Sequence, residues 1–237
     1  MVKKHLKLMS ICLIFLCLHN YCAVNNTNNF NTLMRKARGL IKGWVYKGWV
    51  QKDNLHEVIP GELYRSSQLP PSHLELIVKS YGIKTIVNLS GYEPHYWVSQ
   101  EEKRICDQYG VVLFNLKTHA LILTPVEQVE NMLAISLAAP LPILVHCFAG
   151  SDRTGEMGAL YLLSKGKSTQ EALEQLTPEY GHKRWLFPYK SYLIDNIEKM
   201  YPGLVGYVKK ICDHRMSYQE LKGVSADDLI HLCVTKH

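Results

Sequence analysis

From residue 56 onward the hydrophobic and polar positions alternate between strand and helix patterns. Residues 56–59 and 62–64 are short strand patterns on either side of Pro60-Gly61, a turn pair. Pro70-Pro71-Ser72 opens a helix through Lys79, with Leu74, Leu76 and Ile77 as its apolar positions and Gly82 as its stop. The β-branched run 84–89 reads as a buried strand, residues 96–109 as a helix closed by Gly110, and 111–116 as the next strand. Thr124-Pro125-Val126-Glu127 has the form of a capping box that starts a helix to about Ala138. A strand over 142–146 and a helix over 154–164 follow, and Ser168-Thr169-Gln170-Glu171 caps another helix through Leu176. This order predicts an α/β fold with a mostly parallel central sheet flanked by helices. Ligands in such sheets bind beyond the carboxyl ends of the strands, which directs attention to the loop after His146.

Composition narrows the class. With 47% hydrophobic and 20% charged residues the chain is globular, which excludes disordered, collagenous and coiled-coil proteins. Its 237 residues suit one moderately large domain with extensions. Twenty-seven lysines and arginines against 21 acids give +6, and Lys3, Lys4 and Lys7 account for half of that. The remainder is too weakly basic to argue for nucleic acid. Seven scattered cysteines, with no CxxC pair and no HExxH, indicate neither a disulfide scaffold nor a zinc site.

The N-terminus reads as a separate region. Lys3-Lys4-His5-Leu6-Lys7 is a basic head, and the apolar stretch 8–18 is too short to cross a bilayer of ~30 Å as a helix. Residues 1–23 therefore read as an export signal, cleaved near Val24 or retained as an anchor. Tyr21 is bulky for a cleavage site, and Cys22 leaves a lipid anchor open. The expected location is exported, periplasmic or secreted, or attached to a membrane through the N-terminus. Residues 24–52 read as a linker and N-terminal extension. It holds the weak glycosylation match Asn25-Asn26-Thr27 and the echo of Trp44 and Trp49, tryptophans expected to pack over one end of the domain. A principal domain over 53–205 and a C-terminal extension over 206–237 complete the division.

The chemistry concentrates in His146-Cys147-Phe148-Ala149-Gly150-Ser151-Asp152-Arg153-Thr154-Gly155. A buried strand runs into a cysteine, and six residues later an arginine opens a helix. A loop of that length can wrap one tetrahedral anion, with backbone N–H groups and the helix N-terminus supplying positive potential. The same field favours the Cys147 thiolate, a nucleophile. Arg153 offers a planar fork for two phosphoryl oxygens. The hydroxyl of Thr154 is placed to hydrogen-bond the sulfur. His146 can fix the loop through its ring, and Gly150 and Gly155 allow tight turning and close backbone approach. Phe148, Ala149 and Ser151 complete the substrate-binding loop. The chemistry requires no metal and no cofactor.

The segment matches His-Cys-x-x-Gly-x-x-Arg-Thr-Gly and so resembles the signature of cysteine-based protein tyrosine and dual-specificity phosphatases. Pro60-Gly61-Glu62-Leu63-Tyr64-Arg65-Ser66-Ser67-Gln68 is similar to the opening motif of small atypical members, especially bacterial ones. Ile83-Lys84-Thr85-Ile86-Val87-Asn88-Leu89 resembles their next strand, and Glu179-Tyr180-Gly181-His182 a segment after the loop's helices. The resemblance covers roughly residues 53–200. It implies a dual-specificity-phosphatase-like fold and hydrolysis of phosphate monoesters through a phosphocysteine. Its partner would be a phosphorylated protein or a small phosphoester.

One departure matters. The family's general-acid aspartate sits on a loop that here reads Lys117-Thr118-His119-Ala120-Leu121-Ile122-Leu123-Thr124, without a carboxylate. Glu127 reads as part of the helix cap and His119 as a surface residue, so Asp152 is the better acid, with a salt bridge or loop brace as its alternative role. The position resembles the Asp-Arg-Thr of myotubularin-type phosphatases. Phe148, Ala149 and Ser151 stand where phosphoinositide-specific members carry lysines, which favours phosphotyrosine or phosphoprotein. Inositol phosphates and pyrophosphates remain an alternative because the Tyr-Arg-Ser-x-Gln motif also resembles the branch that cleaves them. A non-catalytic phosphate-binding module is a further alternative. Sulfur transfer is disfavoured by His146 and by Thr154-Gly155. Cys106, Cys212 and Cys233 read as core residues ahead of disulfide partners.

Overall fold

The computed structural model describes residues 53–236. The expected signal, the expected linker and the paired tryptophans lie outside the described residues. Five four-residue strands form one sheet in the order β1-β2-β5-β3-β4: β1 (His56–Ile59), β2 (Leu63–Ser66), β3 (Thr85–Asn88), β4 (Val112–Asn115) and β5 (Ile143–His146). The four from β2 to β4 are mutually parallel, and only β1, turned back at Pro60-Gly61, runs antiparallel at the edge. Every residue of β2, β3 and β5 is buried, as expected of parallel strands covered on both faces.

Strand parity sorts the side chains between two helical layers. Tyr64, Ile86 and Leu144 point to the layer of α1 (Pro71–Tyr81) and α2 (Trp97–Tyr109), where they join Leu74, Ile77 and Ile105. Leu63, Val87, Ile143 and Val145 point to the opposite layer. That layer begins with α3 (Val126–Ala138), α4 (Asp152–Ser164) and the short α5 (Thr169–Leu173). It continues with α6 (Pro188–Met200), α7 (Leu204–Ile211), α8 (Tyr218–Leu221) and α9 (Ala226–Thr235). The glycine stops stand where expected: Gly82 and Gly110 end α1 and α2 in the left-handed conformation.

Two local expectations change. Thr124 does not cap α3, whose N-cap is Pro125 with no side-chain cap. Its hydroxyl donates instead to Glu156 at 2.7 Å and accepts from Lys190 at 2.5 Å. A buried ion pair competes for that hydroxyl and wins over the helix end. The helix after Cys147 starts two residues early, at Asp152, which puts a carboxylate in its first turn.

Residues beyond 205 share the main core. Val208, Cys212, Met216, Leu221, Leu229 and Cys233 are buried in it. Arg215 donates to the carbonyls of Ala139 (2.6 Å) and Ser136 (3.0 Å), and the Met216 N–H donates to Ala138, so this segment satisfies the C-terminal end of α3.

Candidate active site

In the sheet register His146 lies opposite Ser66 on one side and Asn88 on the other, so three strands end level. The loops that follow them meet around Cys147. What shapes the Cys147 loop is the fate of its carbonyls. Phe148 O accepts from the Gln68 N–H, and Ala149 O from Asn54 Nδ2. Gly150 O and Ser151 O accept from Arg65 Nη2 at 2.8 and 3.3 Å. With its carbonyls bound to the surrounding scaffold, the loop is left with its N–H groups to offer an anion.

Arg65, from β2, is the main organiser. It is completely buried, and its Nη1 donates to both the backbone and side-chain oxygens of Gln175, each at 2.8 Å. The guanidinium also stacks 3.9 Å from the centre of the Tyr180 ring. Burial draws its pKa down to about 10, which leaves it charged at neutral pH. The glycines serve this packing. Gly150 has φ +71°, and a Cβ there would lie 2.6 Å from the Ser66 backbone. A Cβ on Gly155 would lie 2.5 Å from Gln175 O, the acceptor Arg65 uses. Gly155 is thus placed against the scaffold, inside α4, and its own N–H donates to Ser151 O.

Cys147 is 3% exposed, and burial alone pushes a thiol up. The Arg153 charge, the Thr154 hydroxyl and the N–H groups of Thr154 and Gly150 outweigh burial and hold it below the ordinary thiol value. The Thr154 hydroxyl is buried without an oxygen or nitrogen partner, which leaves it for the sulfur. Arg153 is anchored through Nη1 to Leu89 O (3.0 Å) and Thr118 O (3.3 Å), carbonyls of the loops after β3 and β4. Those two loops therefore aim the guanidinium.

The structure gives Asp152 a partner that the sequence motif does not show. Its Oδ1 lies 2.7 Å from Nδ1 of the buried His182, whose Nε2 lies 3.1 Å from Ser191 Oγ. His119 is exposed on the loop after β4. Of the expected loop residues, Phe148 is half-buried, Ala149 exposed and Ser151 buried.

A model of the tyrosine phosphatase family matches residues 47–175. The chain belongs to the tyrosine phosphatase family. Within that family's neighbourhood, the dual specificity protein phosphatase TpbA of Pseudomonas aeruginosa is 29% identical over 131 residues, 52% of this chain and 53% of that protein. The chain spans about half the length of the curated relatives it matches. Among solved structures, the core catalytic domain of the PP-IP phosphatase SIW14 from S. cerevisiae, in complex with citrate, superposes with a TM-score of 0.51 at 25% identity. That match covers 68% of this chain and 91% of that one. The mostly parallel α/β sheet read from the sequence is the fold on which this chain and SIW14 superpose.

Some residues of the site escaped the sequence reading. Arg65 and His182 stood out only as parts of a family resemblance. Glu102 was missed, although it lies four residues after Val98 and three before Ile105 on the buried stripe of α2. A carboxylate on an apolar stripe is the signal that could have found it. Lys190 carries the cationic counterpart of that signal, three residues before Leu193 on α6.

Proposed function

We propose that this chain is a cysteine-dependent phosphatase that hydrolyses phosphate monoesters, with phosphotyrosine and phosphoprotein as the favoured substrate class. The outward engagement of the loop carbonyls from Phe148 to Ser151, around a buried Cys147 with a lowered pKa, carries this reading. The Cys147 thiolate attacks phosphorus, the P–O bond to the leaving alcohol or phenol breaks, and that oxygen takes up a proton. Water then attacks the phosphocysteine, releasing phosphate and restoring the thiolate. Arg153 and the loop N–H groups stabilise the charge on the transferring oxygens. Asp152 supplies the proton in this scheme, with His182 setting the direction of its carboxyl group.

The uncharged loop side chains Phe148, Ala149 and Ser151, and the likeness to a dual specificity protein phosphatase, favour protein substrates. Inositol pyrophosphate is the second reading, supported by the likeness to SIW14, described as a PP-IP phosphatase. An export signal or N-terminal anchor over residues 1–23 is a further proposal, motivated by the basic head and short apolar run. A mature N-terminus near Val24 or at a modified Cys22 is its expected sign, and an intact Met1 on cytoplasmic protein refutes it. The substrate test is turnover of phosphotyrosine peptide, phosphoserine peptide and inositol polyphosphates by purified protein. Preferential release of phosphate from phosphotyrosine supports the first reading. Tight ester binding without hydrolysis overturns the enzymatic one.

A further inference from the structure

Beneath the loop, on the face opposite Arg65, lies a second buried charge system. His146 is the last residue of β5 and immediately precedes Cys147. Parity turns its ring, with Leu144, toward α2. There His146 Nε2 meets Glu102 Oε1 at 2.7 Å, and both side chains are 2% exposed. The second carboxylate oxygen accepts from Asn88 Nδ2 at 2.7 Å, and Gln68 Nε2 approaches Oε1 at 3.5 Å. Two amides from strand ends thus hold the carboxylate in one orientation.

The other ring nitrogen also faces an acceptor. His146 Nδ1 faces the carbonyl oxygen of Cys147 at 3.4 Å. The Nε2–Glu102 contact is an ion-pair distance without hydrogen-bond alignment, but a carboxylate and a carbonyl are both acceptors only, so a doubly protonated ring suits both neighbours. A neutral ring would turn a lone pair toward one of the two oxygens. The buried carboxylate at 2.7 Å therefore favours an imidazolium, one residue from Cys147.

We propose that Glu102 is a positioning residue of the active site, keeping His146 as a buried imidazolium whose charge favours the Cys147 thiolate. The inference rests on the phosphatase reading only for its use, not for its chemistry. Burying a carboxylate on the apolar stripe of α2 is costly unless it is paired, and this one is paired with the residue next to the sulfur. Burial pulls the imidazole down, but Glu102 and then Cys147 outweigh it and the ring is held above its ordinary value. Burial pushes the Glu102 carboxyl up, and His146, Asn88 and Gln68 outweigh that and hold it below the usual range. The other charged or titratable groups around the system are Arg153 on α4, Arg65 on β2, and Cys106 one turn along α2 from Glu102. Burial pushes the Cys106 thiol strongly up, so it stays neutral.

The test is the pH dependence of Cys147 alkylation by iodoacetamide in the full chain, followed at that residue by peptide mass spectrometry. In the wild type the midpoint lies below the ordinary thiol value of about 8.5. Glu102→Gln keeps an acceptor for Nε2 and removes only the charge, so the midpoint should rise by about one pH unit. In a His146→Asn background Glu102→Gln should add no further shift, because its effect runs through the ring. An unmoved midpoint, or an equal shift in both backgrounds, overturns the inference. If Glu102→Gln does not fold, the wild-type ring answers directly. Nitrogen NMR at pH 7 should show both His146 nitrogens protonated, and a single neutral tautomer overturns the proposal. Alkylation needs no turnover, so a chain that fails to hydrolyse esters but passes these tests sinks only the phosphatase reading. A working phosphatase with an unmoved midpoint sinks only the role of Glu102.

Discussion

Two buried carboxylate–cation pairs serve the Cys147 loop, one from each helical layer, and they differ in what their charge reaches. Lys190 of α6 and Glu156 of α4 lie 3.0 Å apart with both side chains fully buried. They share the Thr124 hydroxyl, and Lys190 also donates to Ile122 O at 3.2 Å. This pair fastens the loop after β4, whose Thr118 carbonyl helps aim Arg153. The Glu102–His146 pair is as deeply buried, but its imidazole belongs to the residue next to Cys147, the proposed nucleophile. Similar desolvation is thus put to two uses: one pair fixes where a loop runs, the other fixes the charge at a reacting atom. Proximity to Cys147 makes the difference, because Coulomb interactions weaken with distance even where the dielectric is low.

The sharpest break of the comparison removes the atom that only one pair serves. Cys147→Ser should lower turnover on the order of 10⁴-fold or more while phosphate binding persists, since the serine hydroxyl stays protonated. Assays of aryl phosphate hydrolysis and phosphate titration check this, and near-normal turnover would refute the mechanism. Next in size is Lys190→Met, which strands Glu156 in the core. Stability in urea should fall by about 3–5 kcal/mol. The midpoint of Cys147 alkylation should barely move in the protein that remains folded, in contrast to Glu102→Gln. A large shift there would erase the distinction between the pairs.

Asp152 offers a smaller and more selective effect. If it donates the proton, Asp152→Asn should slow phosphotyrosine hydrolysis by roughly 10²-fold and spare activated aryl phosphates, whose anions leave unaided. The basic limb of the pH–rate profile should flatten. If the contact with His182 makes it only a brace, all substrates should slow alike.

The smallest expected effect is the pH signature of the histidine pair in stability. Glu102 is held below its unfolded value near 4.3, so its contribution is present above that pH and fades as pH falls through the folded value. His146 is held above its unfolded value near 6.5, so its contribution is full below that pH and fades as pH rises through the folded value. The stability difference between wild type and Glu102→Gln should therefore peak between about pH 4.3 and 6.5. Urea midpoints across that range check it. The Lys190 pair has no imidazole and should show no decline on the neutral side.

What the sequence determined by itself was the order of strands and helices, the parallel sheet, and Cys147, Arg153 and Thr154 close together where a strand passes into a helix. These follow from hydrophobic periodicity, glycine and proline punctuation, and a short contiguous spacing, all local signals. The tertiary structure decided which distant groups hold that loop. Arg65, Asn54 and Gln68 take its carbonyls, and each comes from a segment far away in the chain. It decided that Thr124 serves a buried ion pair instead of a helix end. It also turned His146 toward Glu102, because strand parity and the packing of α2 set that meeting across a separation of 44 residues, from 102 to 146. A periodic pattern says which face of an element is buried. It does not say which buried polar group will find which other, since that depends on the register between elements.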